Sequence, residues 1–356
     1  MQATRRRIVV GGASLALWSA MRPVAAQGAA SWTQAGPESQ GLSAPALEAV
    51  LSDAASLPAM RSLLVARNGV LVAERYYADG AADKLRRINS CTKSVASLLV
   101  GQALAQGKLQ SLSQTVAQLL PEAAAKAPDA PAAAVTLRQI LTGTTGLAYD
   151  FTRQMRDLAT APDPVQYTLA LPLANTPAGA WSYNDAAVGL LTPILQRAYG
   201  LELREIARQH LFAPLGIDTF EWGRDRSGQV TSYGGLQLKA RDLLKLAWIM
   251  GEGGRWGGAQ VLPEAWVAES LQPHTPRAWL NPPVTGTHYG YLWFIGTLRG
   301  RPVAWAWGYG AQFAVLVPSL RLAVATFALE PPLAALEAHN RAVMELVARV
   351  VEAAAA

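Results

Sequence analysis

The order of apolar and polar positions predicts sheet-forming segments towards both ends of the chain and a mainly helical middle. Ser43 to Leu57 has a serine cap and apolar Leu47, Val50 and Leu51, the pattern of a surface helix. Ser62 to Arg67 and Val70 to Tyr77 are joined by Asn68-Gly69, two residues that tolerate positive φ, so they predict a β-hairpin. A polar segment, Arg87-Ile88-Asn89-Ser90, then opens into Val95, Leu98, Leu99 and Ala103 at helical spacing, ending at Gly107.

From Leu109 to Pro282 the periodicity is mainly helical, with Val135 to Leu141 leading into a tight loop at 142–147 and amphipathic helices at Leu201 to Phe212 and Ala240 to Met250. Strand patterns return at Tyr291 to Leu298, Pro302 to Trp307, Gln312 to Val317 and Leu322 to Ala328, and Ala334 to Ala353 closes the chain as a helix. The expected class is α+β: one antiparallel sheet built from both ends, flanked by helices, with a mostly helical lobe inserted between. The expected boundaries are a sheet lobe at about 30–90 and 285–356 and a helical lobe at about 91–284, with a site in the cleft between them.

Composition changes the picture at the N-terminus. The 356 residues are 51% hydrophobic and carry a formal charge of +6. Residues 1–26 have a basic, acid-free start with paired arginines, an apolar run and a small-residue end at Pro23-Val24-Ala25-Ala26, the pattern of a twin-arginine-type signal peptide. The apolar run, Ile8 to Met21, is shorter than the ~20 residues of a membrane span. The expectation is export, to a bacterial periplasm, with no stable membrane anchor after cleavage and one domain over 27–356. Cleavage lowers the charge to +2, so nothing remains that argues for nucleic acid. The single cysteine, Cys91, is read as a packed thiol.

Three stretches carry candidate chemistry. Ser90 stands at a predicted helix start, and Lys93 follows three residues later on the same face, where its nitrogen can reach the serine oxygen. A serine hydroxyl needs such a base to become a nucleophile, and the free N–H groups of a helix start favour an oxyanion. Of the six lysines, only Lys93 stands three residues after a serine. The second stretch, Trp181-Ser182-Tyr183-Asn184-Asp185, places a tyrosine at the head of a helix, able to serve as acid or base if cations lower its pKa. The third, Trp307-Gly308-Tyr309-Gly310-Ala311-Gln312, has small residues at a strand start, where a substrate can approach and a backbone N–H can bind an oxyanion.

Together these stretches resemble the serine β-lactamase-like superfamily, which includes class C β-lactamases, penicillin-binding proteins, esterases and the 6-aminohexanoate-dimer type of amide hydrolase. Ser90-Cys91-Thr92-Lys93 matches its Ser-x-x-Lys element, Tyr183 matches the tyrosine of its second motif, and Tyr309-Gly310-Ala311 falls at its third. The resemblance implies a β-lactamase/transpeptidase-like fold and a two-step acyl transfer without cofactor or metal, on a small-molecule ester or amide. Ser90 attacks, Lys93 accepts its proton when neutral, and Tyr183 relays it to the leaving group. The expected oxyanion donors are the N–H groups of Ser90 and of Ala311 or Gln312, and Asn184, Asp185, Tyr309, Gly310 and Trp181 are expected to contact substrate. Tyr309 stands where β-lactam-directed members carry a cation, so the pattern favours the esterase and amidase branch over a β-lactamase or DD-peptidase. The alternative of another class is a non-catalytic exported protein that binds cell-wall peptide. The four histidines, His210, His274, His288 and His339, show no local zinc spacing, and no Gly-x-Ser-x-Gly elbow or phosphate loop occurs.

Overall fold

The computed structural model describes residues 31–355, apart from 178, 276 and 277. The expected signal segment, 1–26, lies outside the described residues. Among the described residues no helix is long and apolar enough to cross a membrane.

An eight-stranded sheet organises the fold. Its strands, numbered along the chain, are β1 (Thr33–Gln34), β2 (Met60–Arg67), β3 (Val70–Tyr76), β4 (Thr285–Tyr289), β5 (Phe294–Leu298), β6 (Arg301–Gly308), β7 (Gln312–Val317) and β8 (Leu322–Ala328). Their spatial order is β1-β3-β2-β8-β7-β6-β5-β4. Both chain ends therefore meet at the β2–β8 pair, where Leu64 lies opposite Ala325. The β2–β3 hairpin turns through Asn68 and Gly69, at φ 53° and 83°, as their tolerance of positive φ predicts. One pair departs from the antiparallel expectation: β1 runs parallel to β3, with Thr33 opposite Val70.

Every residue of β7 and β8 is buried, so both faces of the sheet are covered. Helices α1 (Ala44–Ala55) and α5 (Leu336–Ala355) pack on each other and on β2 and β8, while α4 (Ala240–Gly251) packs separately on β8, β7 and β2. That placement corrects the expected division of the chain, because α4 belongs to the stretch assigned to the helical lobe yet covers the sheet. Its Leu243, Leu244, Ala247 and Met250 are all buried.

Two boundary expectations also change. Tyr291-Leu292-Trp293 is not strand: Leu292 takes φ 60° and its N–H donates to Leu141 O, so this apolar run is a buried bend rather than a ladder. The edge strand β4 escapes sequence reading because only two of its five residues are buried, leaving little apolar signal. Small sheets also interrupt the helical middle, one joining 221–222 and 236–238 to 86–87 of the sheet lobe and one pairing 255–256 with 259–260.

Candidate active site

Helix α2 (Cys91–Ala105) starts immediately after Ser90 and is buried over its first eleven residues. Ser90 has αR geometry and its side chain makes no capping bond. The hydroxyl is engaged elsewhere: Oγ is 3.0 Å from Lys93 Nζ and accepts from the Tyr183 hydroxyl at 2.6 Å. Among the described residues nothing accepts from the Ser90 N–H, whereas those of Cys91, Thr92 and Lys93 donate to the carbonyls of Ile88, Asn89 and Ser90. That free donor at a helix start suits an oxyanion.

The turn that delivers Ser90 is held by residues without an obvious sequence signal. Asn89 adopts φ 48°, a left-handed conformation that asparagine tolerates better than most residues. Its Nδ2 donates to Tyr309 O at 2.8 Å and to Glu330 Oε1 at 2.9 Å, tying the Ser90 turn to the β6–β7 turn. Gly308 allows the two segments to meet: a Cβ there would lie 2.2 Å from Ile88 O. Cys91, whose thiol is pushed up by burial, donates to Gln312 O at 3.1 Å and is a packing group, as expected.

Lys93 is buried and meets three oxygens. Besides Ser90 Oγ, its Nζ donates to Tyr233 O at 3.0 Å and forms a 2.6 Å ion pair with Asp185 Oδ1. Asp185 is therefore a partner of the lysine, not a substrate contact. A neutral amine could still accept the Ser90 proton while its own N–H groups face Tyr233 O and Asp185. The Asp185 carboxylate thus shares the buried site with the lysine nitrogen.

Tyr183 also differs from expectation. Lys93 Nζ lies 4.7 Å from its ring centroid. Even so, burial first, and then the Asp185 carboxylate, hold its hydroxyl well above the ordinary tyrosine range. The phenol is therefore a protonated donor at neutral pH, aimed at Ser90 Oγ. Its ring stacks on Trp279, with centroids 4.4 Å apart and an interplanar angle of 22°.

Ser90 opens into a cavity of about 540 Å³ walled by Phe151, Trp279, Phe294, Trp307 and Tyr309. The remaining sequence-derived contacts fall on either side of this wall. Tyr309 lines the cavity as expected, with its hydroxyl donating to Pro331 O at 2.8 Å. Trp307 also lines it, whereas Trp293 and Trp305 are wholly buried. Trp181 lies beyond Tyr183 in a neighbouring hollow.

Asn184 is a structural cap: its Oδ1 accepts from Ala187 N–H and its Nδ2 donates to Leu147 O. Gly310, at φ 80°, belongs to the turn, and its carbonyl accepts from Gln312 Nε2 and lies 3.1 Å from His339 Nε2. Gln312 sits in the ladder opposite Gly308, is buried and does not line the cavity; neither does Ala311, which is also buried. Within this turn it is Tyr309 that lines the cavity. Among the described residues no group of three or more His, Cys, Asp or Glu could hold a metal ion.

Comparison with known proteins agrees with this geometry. The sequence profile described as Beta-lactamase matches residues 47–349. A 6-aminohexanoate-dimer hydrolase of Paenarthrobacter ureafaciens is 26% identical over 67% of this chain and 65% of its own length. Esterase EstB of Burkholderia gladioli is 28% identical over 43% of this chain and 44% of its own. The chain thus spans less than two thirds of either relative. Among solved structures, a Bacillus anthracis protein provisionally assigned as a 6-aminohexanoate-dimer hydrolase superposes with a TM-score of 0.72 at 16% identity, covering 90% of this chain and 88% of that one.

Proposed function

Because the chain belongs to the Beta-lactamase family, we propose that it is a serine hydrolase that cleaves an ester or amide through an acyl-enzyme on Ser90. One observation carries the reading: Ser90 Oγ lies 3.0 Å from a buried lysine nitrogen and 2.6 Å from a tyrosine hydroxyl held in its protonated form. Ser90 attacks the carbonyl carbon, and its proton passes to Lys93. The Tyr183 hydroxyl then protonates the leaving oxygen or nitrogen, regaining a proton through Lys93. In the second step the same pair accepts a proton from water as the water oxygen attacks the acyl carbon, and returns a proton to Ser90 Oγ as the acyl–oxygen bond breaks, releasing the carboxylic acid and free Ser90. The Ser90 N–H, with that of Ala311 or Gln312, stabilises the oxyanion, each such donor typically contributing about 3 kcal/mol.

The wall of the cavity favours an ester or simple amide over a β-lactam. The third-motif position is occupied by Tyr309, and the only cation among the described residues lining the cavity, Arg341, is paired with Glu337 at 3.2 Å. No unpaired cation there would hold a substrate carboxylate. A purely binding role would leave the Ser90–Lys93–Tyr183 contacts without a purpose. Residues 1–26 carry the export pattern, which places the mature domain, residues 27–356, in a bacterial periplasm under this proposal.

Intact-protein mass after treatment with a fluorophosphonate tests the assignment. A single adduct on the parent and none on Ser90→Ala is the expected result; no adduct on the folded parent overturns it. Turnover of p-nitrophenyl butyrate, a short linear amide and nitrocefin then ranks the substrate classes, with nitrocefin expected last.

A further inference from the structure

Three of the large apolar side chains exposed on the described surface, Trp279, Leu280 and Leu333, line the one cavity that contains Ser90. They come from two separate segments, the loop before β4 and the turn before α5, so the chain brings them together only in the folded state. Leu280 and Leu333 are 63% and 57% exposed, and Trp279 is 42% exposed while stacked on Tyr183. Exposed apolar residues scattered singly need no explanation, but a cluster continuous with a pocket marks a binding surface. Inside the rim the wall stays apolar through Phe151, Phe294 and Trp307, and the polar side chains set into it, Thr152, Asn281 and Asn340, carry no charge. The two charged groups at the mouth, Glu337 and Arg341, neutralise each other.

Resting on the serine-hydrolase reading, we infer that the cavity and its rim select an uncharged ester with a hydrocarbon acyl chain of about eight carbons or more. A volume of about 540 Å³ falls within the ~300–1,000 Å³ of pockets that enclose drug-sized ligands. A butyryl group attached to Ser90 leaves most of that space, and all of the rim, in contact with water. A longer chain can extend over Trp279 and Trp307 towards the exposed Leu280 and Leu333. Each added methylene moves apolar surface out of water on both partners until the rim is passed. A terminal carboxylate on the same chain would instead be desolvated without an unpaired cation to meet it.

The test is a series of p-nitrophenyl esters from acetate to decanoate, kept below their aggregation limits, after the fluorophosphonate adduct on Ser90 has been recorded. The expected kcat/KM rises by about threefold per methylene beyond butyrate, chiefly through KM. It falls at least tenfold for an ester of equal length ending in carboxylate. Leu280→Asn and Leu333→Asn, both at exposed positions that folding tolerates, are expected to flatten the rise, lowering decanoate turnover several-fold more than butyrate turnover. An adduct with activity highest at acetate or butyrate, or a chain-length profile identical in the two variants, overturns the inference and leaves the hydrolase reading intact. Absence of the adduct overturns both.

Discussion

Lys93 Nζ lies 2.6 Å from Asp185 Oδ1, and each side chain is only 3% exposed. This pair stands behind Ser90, the proposed nucleophile, and joins α2 to the segment that carries Tyr183. Removing one member of a buried pair leaves the other charge unmet, at a typical cost of about 3–5 kcal/mol. Asp185→Asn is therefore expected to lower stability by that order in urea unfolding and to reduce kcat by more than tenfold. Lys93→Met combined with Asp185→Leu is expected to regain much of the stability and none of the activity. A double variant as unstable as Asp185→Asn would contradict this account.

Tyr183→Phe removes the donor that stands 2.6 Å from Ser90 Oγ while keeping the ring stacked on Trp279. General acid–base groups typically contribute 10²–10⁴-fold, and a kcat loss of about that size is expected. Because burial and Asp185 push the phenol up, the parent should show no alkaline limb from Tyr183 below about pH 10, the ordinary tyrosine value. A rate profile that falls between pH 8 and 9 in the parent, and not in the phenylalanine variant, would refute that protonation state.

Gly308→Ala tests how the Ser90 turn is seated. A Cβ at 308 would lie 2.2 Å from Ile88 O, a backbone atom that cannot rotate away. Overpacking of this kind costs roughly 1–3 kcal/mol, and a displacement of about 1 Å at a reacting group can cost ~10²-fold in rate. The expected result is a lower unfolding midpoint together with fluorophosphonate labelling slowed by about that factor. Parent-like labelling would show that the turn can move without disturbing Ser90.

Alkaline pH is expected to destabilise the fold. Burial, as the largest cause, raises Tyr149, Tyr289 and Tyr291 above the ordinary tyrosine value. Above about pH 10 the unfolded chain releases phenolic protons that the native chain retains, so stability falls as pH rises. Each such group contributes a slope of about 1.4 kcal/mol per pH unit in that range. Urea unfolding between pH 8 and 11, with phenolate absorbance followed in parallel, should show a flat region to about pH 9.5 and then a decline. A midpoint constant to pH 11 would rule this out.

Much of this molecule is legible locally. Lys93 reaches Ser90 because residues three apart share a helix face, a rule that needs no tertiary knowledge. The β2–β3 turn follows from two residues that accept positive φ, and the helices α1, α2 and α4 follow from their apolar spacing. What escapes sequence reading has a common physical origin. The Tyr233 carbonyl that holds Lys93 is 140 residues away, and the indole of Trp279 meets Tyr183 through a loop with no regular pattern. Asp185 reads as a possible substrate contact until the fold buries it against the lysine, and the direction in which Tyr183 is pushed depends on how much water and charge the fold leaves around it. The sequence by itself determined the pairing of Ser90 with Lys93 and the sheet-and-helix class, because short-range backbone and side-chain geometry encode them, and it pointed to Tyr183 through a family resemblance. Only the tertiary structure decided the charge balance of the site, the turn that seats Ser90 and the apolar cavity beside it, because desolvation and packing depend on segments brought together from the whole chain.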